Sequence, residues 1–134
     1  MATSNITYVG ELRTVCMHLQ SGTQILTDAP IDNHGKGEAF SPTDLVATAL
    51  GSCMVSIMGI KSKDLEVDLK DSKVSITKIM QSEPRKIAKI KVVLDISITT
   101  SDKNKIILER AAMTCPVLLS LHPDIEKEVI FNWK

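Results

Sequence analysis

The chain has 134 residues and a mass of 14.7 kDa, with 16 basic and 16 acidic side chains and a formal charge of zero. One domain spanning residues 1–134 is expected at that length, large enough to bury a core without staples. The balanced charge excludes the basic footprint of a nucleic-acid or anionic-membrane binder, and four aromatics (Tyr8, Phe40, Phe131 and Trp133) are too few for a base-stacking platform.

The first thirty residues alternate in a strand-like way, with Ile6, Tyr8, Leu12, Val15, Met17 and Leu19 set among polar neighbours. Gln20-Ser21-Gly22-Thr23 reads as a hairpin turn and Ile25-Leu26-Thr27 as the return strand. From Asp32 to Phe40 the chain is rich in glycine and polar residues, which predicts an irregular loop; its Gly35-Lys36-Gly37 is too short and wrongly placed for a phosphate loop.

Ser41-Pro42-Thr43-Asp44 is the sharpest local signal. Ser41 suits an N-cap, Pro42 the first helical position and Asp44 the reciprocal position of a capping box. The helix it opens should run from Pro42 to about Ile60. Val46, Ala49, Leu50, Cys53, Ile57 and Ile60 recur at helical spacing, and no charge interrupts its middle, so it reads as a helix buried on most sides. Its weakly polar stretch, Leu45 to Ile60, is about four residues short of a membrane span.

Strands are predicted over Leu65–Leu69, Val74–Met80 and Ile87–Thr99, with Ser82-Glu83-Pro84-Arg85 turning the last two. Ser101 or Asp102 caps a second helix, Pro116 breaks it, and a short third helix follows over Pro116 to Leu121 with Cys115 at or just before its start. Val129, Phe131 and Trp133 alternate as a final strand. The order β-β-α-β-β-β-α-α-β is that of an α+β domain with mostly antiparallel pairing.

Three cysteines, Cys16, Cys53 and Cys115, are odd in number and widely spaced, and Met1 to Asn5 show no secretory n-region; both features suggest a reducing, cytoplasmic setting. Cys53 lies deep in its helix, beyond the reach of the macrodipole, so a nucleophilic role requires a cation brought to it. Among three arginines, Arg13 sits mid-strand, an uncommon place for a guanidinium without a task. Cys115, before Pro116, has the position of a moderately acidic thiol. Core packing is the competing explanation for Cys53 and Cys115, and the simpler one for Cys16. His18, His34 and His122 show no metal-ligand spacing.

The run Ser41-Pro42-Thr43-Asp44-Leu45-Val46-Ala47-Thr48-Ala49-Leu50-Gly51-Ser52-Cys53 resembles the motif helix of the OsmC/Ohr family of peroxide-reducing proteins, and Thr114-Cys115-Pro116-Val117 resembles its second-cysteine motif. That resemblance implies an intertwined homodimer with antiparallel sheets wrapped around central helices. It implies a thiol peroxidase that reduces organic hydroperoxides, with no metal or organic cofactor. Cys53 would be the peroxidatic nucleophile, Cys115 the resolving thiol and Arg13 the thiolate-stabilising arginine, with an external dithiol (a lipoyl-bearing protein or a thioredoxin-like one) as reductant.

The site where the hydroperoxide-resistance branch carries a glutamate is Thr43 here; the acid is Asp44, one residue on, and Glu38 is a second candidate for holding Arg13. Val46, Leu50, Met54 and Ile57 are expected to line the thiol with apolar surface and to favour an alkyl hydroperoxide. The alternative is an inactive relative, a small-molecule-binding or stress-associated protein in which Cys53 is only core; a purely structural dimerisation module is a third reading.

Overall fold

The computed structural model describes all 134 residues. Its elements are β1 (Ser4–Gly10), β2 (Arg13–His18), β3 (Gln24–Asp28), α1 (Pro42–Asp64), β4 (Lys73–Gln81), β5 (Lys86–Ile96), α2 (Asp102–Ala112), α3 (Pro116–Ser120) and β6 (Glu126–Trp133), with a short 3-10 turn at Ile31–Asn33. The α+β composition matches the sequence reading. The chain divides into two compact units, Met1–Val46 and Ala47–Lys134.

The first unit is an antiparallel sheet in the order β1-β2-β3. One strand was expected before the Gln20–Thr23 turn, and two are found. The break falls at Gly10-Glu11-Leu12, where all three residues have positive φ. Glu11 and Leu12 thus form a tight hairpin turn without the Asn-Gly chemistry that normally announces one. The second turn is where the sequence put it, closed by His18 N–H to the Thr23 carbonyl at 2.8 Å. No apolar side chain in this unit is fully buried, and Ile6, Tyr8, Ile25 and Leu26 are all exposed.

The second unit carries the core. Its sheet runs β4-β5-β6, antiparallel between β4 and β5 but parallel between β5 and β6. Three of the four strand pairs are therefore antiparallel, and this sheet is mixed. The parallel pairing arises because α2 and α3 intervene, a crossover long enough to bring β6 back in the direction of β5. Ile90, Val92, Leu94 and Ile96 of β5 are buried, as their alternation predicts, and join Leu108 and Ala112 of α2 in one cluster.

α1 begins as expected. Asp44 N–H donates to Ser41 Oγ at 3.1 Å, and the Asp44 carboxylate accepts the Ser41 N–H at 3.0 Å. This capping box satisfies two backbone donors that the first turn would leave orphaned. The helix runs past Ile60 to Asp64, and the strand expected over Leu65–Leu69 does not form. Val67 N–H instead folds back onto the Ser62 carbonyl and Glu66 N–H onto that of Lys63, with Glu66 at φ 56°. That is a Schellman closure built on a glutamate where glycine is usual, so no sequence signal marked it.

At 23 residues α1 is long and apolar enough to cross a membrane by length and composition alone. Its buried face, however, is core: Ala47, Leu50, Gly51, Met54, Met58 and Ser62. Of the stripe read from the sequence, Leu50 belongs to this face, Cys53 and Ile57 are half-buried at its edge, and Ala49, Val46 (40% exposed) and Ile60 (66% exposed) lie open. The helix is thus buried on one face, not on most sides.

Gly51 sets how closely α1 approaches β4. A Cβ there would fall 2.6 Å from Ile76 Cδ1 and 2.9 Å from Val74 Cγ1, whereas one on Gly59 meets nothing within 4 Å. The same change should therefore act in opposite directions. Gly59→Ala is expected to gain about 1 kcal/mol from helix propensity, and Gly51→Ala to lose about 1–3 kcal/mol through overpacking, both read from urea unfolding midpoints.

Candidate active site

Two of the predicted residues meet in the second unit. Cys115 is the N-cap of α3: its backbone is extended, Pro116 occupies the first helical position, and its Sγ accepts the Leu118 N–H at 3.3 Å. The side chain is fully buried. Cys53, half-buried on α1, packs against the same cluster and lies within electrostatic range of the Cys115 thiol. Both are free thiols.

The helix-terminal position was expected to make Cys115 moderately acidic. The opposite holds: burial pushes its thiol above the usual range, and the neighbouring Cys53 acts in the same direction. The amides of Leu118 and Val117 pull it down, but less strongly than desolvation pushes it up. Cys115 is therefore a sealed, protonated thiol beside a half-open one. Leu50 and Met54, expected to line the thiol surface, are fully buried in the core, whereas Val46 and Ile57 remain partly open.

Arg13, in the first unit, is fixed side-on. Its Nε donates to Asp28 Oδ1 at 2.7 Å and its Nη2 to Asp28 Oδ2 at 2.8 Å, with a further Nη2 bond to Glu38 Oε1 at 3.2 Å. The Asp28 pairing holds the guanidinium protonated far above neutrality and keeps the Asp28 carboxyl well below the usual carboxylate range. Of the two acids considered for Arg13, Glu38 does bond it, but the principal partner is Asp28, which the sequence reading did not select. Asp44 is engaged in the cap of α1. The signal for Asp28 was present: counting outward from the hairpin turn, residue 13 faces residue 28, and the ladder pairs them.

The loop after β3 is tied down around this pair. Glu38 N–H donates to Asp28 Oδ2 at 3.1 Å, Gly37 N–H to the Ala29 carbonyl at 3.3 Å, and Lys36 Nζ meets Glu11 Oε2 at 2.6 Å. Gly35 is required by close approach, since a Cβ there would sit 1.7 Å from the Ala29 carbonyl oxygen. Cys16, in β2, is half-buried beside Thr14 Oγ1 at 3.6 Å.

The thiol environments predict an order of reactivity. Native reduced protein treated with iodoacetamide at about pH 7 should be modified at Cys53 well before Cys115, with both modified after denaturation. Raising the folded-state pKa of Cys115 means the unfolded chain sheds that proton first. Reduced protein should accordingly lose stability as pH rises above about 8.5, and Cys115→Ser should flatten that part of the profile in denaturant titrations.

The family model of OsmC-like protein matches residues 35–129. A search of the curated proteins returned no match. Among solved structures, a protein of Psychrobacter arcticus 273-4 named for osmotic stress induction and detoxification response is 48% identical, with 98% of this chain and 96% of that one covered and a TM-score of 0.95. An organic hydroperoxide resistance protein OsmC of Legionella pneumophila has the same fold at 14% identity, 98% coverage of both chains and a TM-score of 0.75. An organic hydroperoxide resistance protein of Vibrio cholerae does so at 18% identity, covering 98% of this chain and 92% of that one with a TM-score of 0.74. By the family match over most of its length, and by its identity to the Psychrobacter protein, this chain belongs to the OsmC-like family.

Proposed function

We propose that the protein is a cysteine-based peroxidase that reduces organic hydroperoxides. The observation that carries this reading is the pairing of a half-open Cys53 with a sealed, protonated Cys115. Members of the same fold are named organic hydroperoxide resistance proteins, which supports it further.

In the proposed cycle the Cys53 thiolate attacks the terminal oxygen of R–O–OH. The S–O bond forms as the O–O bond breaks, the alkoxide leaves and takes a proton as R–OH, and Cys53 becomes a sulfenic acid. Cys115 sulfur then attacks the Cys53 sulfur, its proton leaving with the sulfenic hydroxyl as water, and a disulfide forms. An external dithiol, from a lipoyl-bearing or thioredoxin-like protein, restores both thiols and is itself oxidised to a disulfide.

Burial suits Cys115 to this order of events. A protonated, sealed thiol does not compete for peroxide, yet it stands beside the sulfenic acid when that forms. In this reading Arg13 stabilises the Cys53 thiolate and donates to the peroxide oxygen, and Asp44 contributes by fixing the start of the helix that carries Cys53. The partly open Val46 and Ile57 favour an alkyl peroxide over hydrogen peroxide, an idea that equal rates with the two oxidants would defeat.

We also infer a homodimer in a cytoplasmic setting. A three-stranded sheet exposing Ile6, Tyr8, Ile25 and Leu26, and a helix exposing Val46 and Ile60, offer apolar surface that a second copy would cover. Light scattering should return twice the chain mass; a monomer at micromolar concentration would defeat the inference.

The catalytic reading is tested by peroxide consumption with a dithiol reductant. Cys53→Ser should abolish turnover. With the reductant left out, Cys115→Ser should consume one equivalent and stop at the sulfenic acid, trapped by dimedone; with the reductant present, Cys16→Ser should turn over normally. Full activity in Cys53→Ser would overturn the reading.

A further inference from the structure

The oxidised form of the proposed cycle offers two sulfurs to its reductant, and the fold makes them unequal. Cys115 has no exposed surface, its Sγ accepts the Leu118 N–H at 3.3 Å, and it belongs to the buried cluster with Leu108 and Ala112. Cys53 stands at the margin of that cluster, half-buried. An open groove of about 400 Å³ runs along the same side of α1. Ile57 and Ile60, one and two turns past Cys53, line it together with Ile107 and Ala111 of α2 and with Thr114. Thr114 is exposed, whereas the side chain of Cys115, the next residue, is sealed in.

Thiol–disulfide exchange depends on which sulfur is struck and on access to it. The attacking thiolate must arrive from the side of the struck sulfur that faces away from its bonded partner. At Cys115 every approach crosses packed side chains, while at Cys53 solvent already reaches the side chain. Leaving-group chemistry pulls the other way. Burial holds the Cys115 thiol above the usual range, so it is the slower of the two sulfurs to depart. Access decides the matter, because leaving-group basicity slows an exchange by degrees, whereas a sulfur that cannot be reached does not react.

We propose that the external dithiol strikes Cys53 and not Cys115, so that the sulfur oxidised by peroxide is also the one that carries the reducing partner. The inference rests on the disulfide cycle proposed above. One thiolate of the dithiol bonds to Cys53 Sγ as the Cys53–Cys115 bond breaks. Cys115 departs with the electron pair of that bond and takes up the proton the dithiol has shed. The second thiol of the partner then loses its proton and attacks the partner sulfur of the mixed disulfide. A disulfide closes within the partner and Cys53 is released as a thiolate. The partner has lost two electrons, and the two cysteines have gained them.

Burial then protects the intermediate. If Cys115 returned to Cys53 it would expel the partner and restore the starting disulfide. A sealed, protonated thiol does this more slowly than an ionised one, which leaves the mixed disulfide to the second thiol of the partner. The competing route would first unseat α3, five residues long, to bring Cys115 out to the reductant.

The test oxidises the full-length wild-type protein with one equivalent of an alkyl hydroperoxide and mixes it with excess cysteamine. The reaction is quenched with acid during the first turnover, and the adduct is mapped by mass spectrometry. Cysteamine on Cys53 with Cys115 free is the expected result. Cysteamine on Cys115, or on both equally, would overturn the proposal in favour of the opening of α3. The reverse direction gives a second measurement, because the exchange must retrace its steps. Reduced, folded Cys115→Ser and Cys53→Ser are each treated with cystamine, and the adduct on the remaining member of the pair is followed. Cys53 is expected to react at least about 10-fold faster than Cys115, and a smaller difference would overturn the proposal. If the hydroperoxide produces no Cys53–Cys115 disulfide, the catalytic reading fails and this inference with it. If the disulfide forms and opens at Cys115, only this inference fails.

Discussion

The sealing of Cys115 beside Cys53 is the constraint on which the rest of the second unit turns. To cap α3 with a sulfur, the chain must stop α2 at Ala112, turn through Met113 and Thr114, and restart at Pro116, which cannot continue the preceding helix. To have Cys53 at hand, α1 must lie with Leu50, Met54 and Met58 in the core, which leaves Cys53 at the margin of the buried face. Gly51 suits this packing, because a Cβ there would press on the side chains of Val74 and Ile76. The thiol pair is a product of the core packing and not an addition to it.

The two thiols share a neighbourhood but differ in environment, and that difference gives the site a direction. Desolvation raises the cost of ionising Cys115, while Cys53 keeps access to solvent. A helix N-terminus would favour the thiolate, but two backbone amides do not offset complete burial. Position in the sequence suggested one chemistry for Cys115, and its surroundings impose another.

Local chemistry was legible where it is carried by residue type. Ser41, Pro42 and Asp44 announced the start of α1, and Pro116 announced α3, because caps and proline act through atoms the sequence names directly. The alternation of β5 identified its buried side chains. Illegible were the features set by backbone conformations that ordinary residues seldom adopt: the Glu11–Leu12 turn and the Glu66 closure of α1, both at positive φ without glycine or asparagine. The buried face of α1 was read one stripe away because its small and apolar residues surround the helix, so periodicity could not choose among adjacent faces. Asp28 was missed for a different reason: its importance lies in register across a hairpin, which a residue-by-residue reading does not compute.

The central claim is that Cys53 and Cys115 form a redox couple. Its most direct test is a mass-spectrometric disulfide map of fully reduced protein before and after one equivalent of an alkyl hydroperoxide. A single Cys53–Cys115 disulfide with Cys16 still free is the predicted result. If both thiols remain reduced while the fold is intact, the pair is packing and the account of its chemistry is wrong.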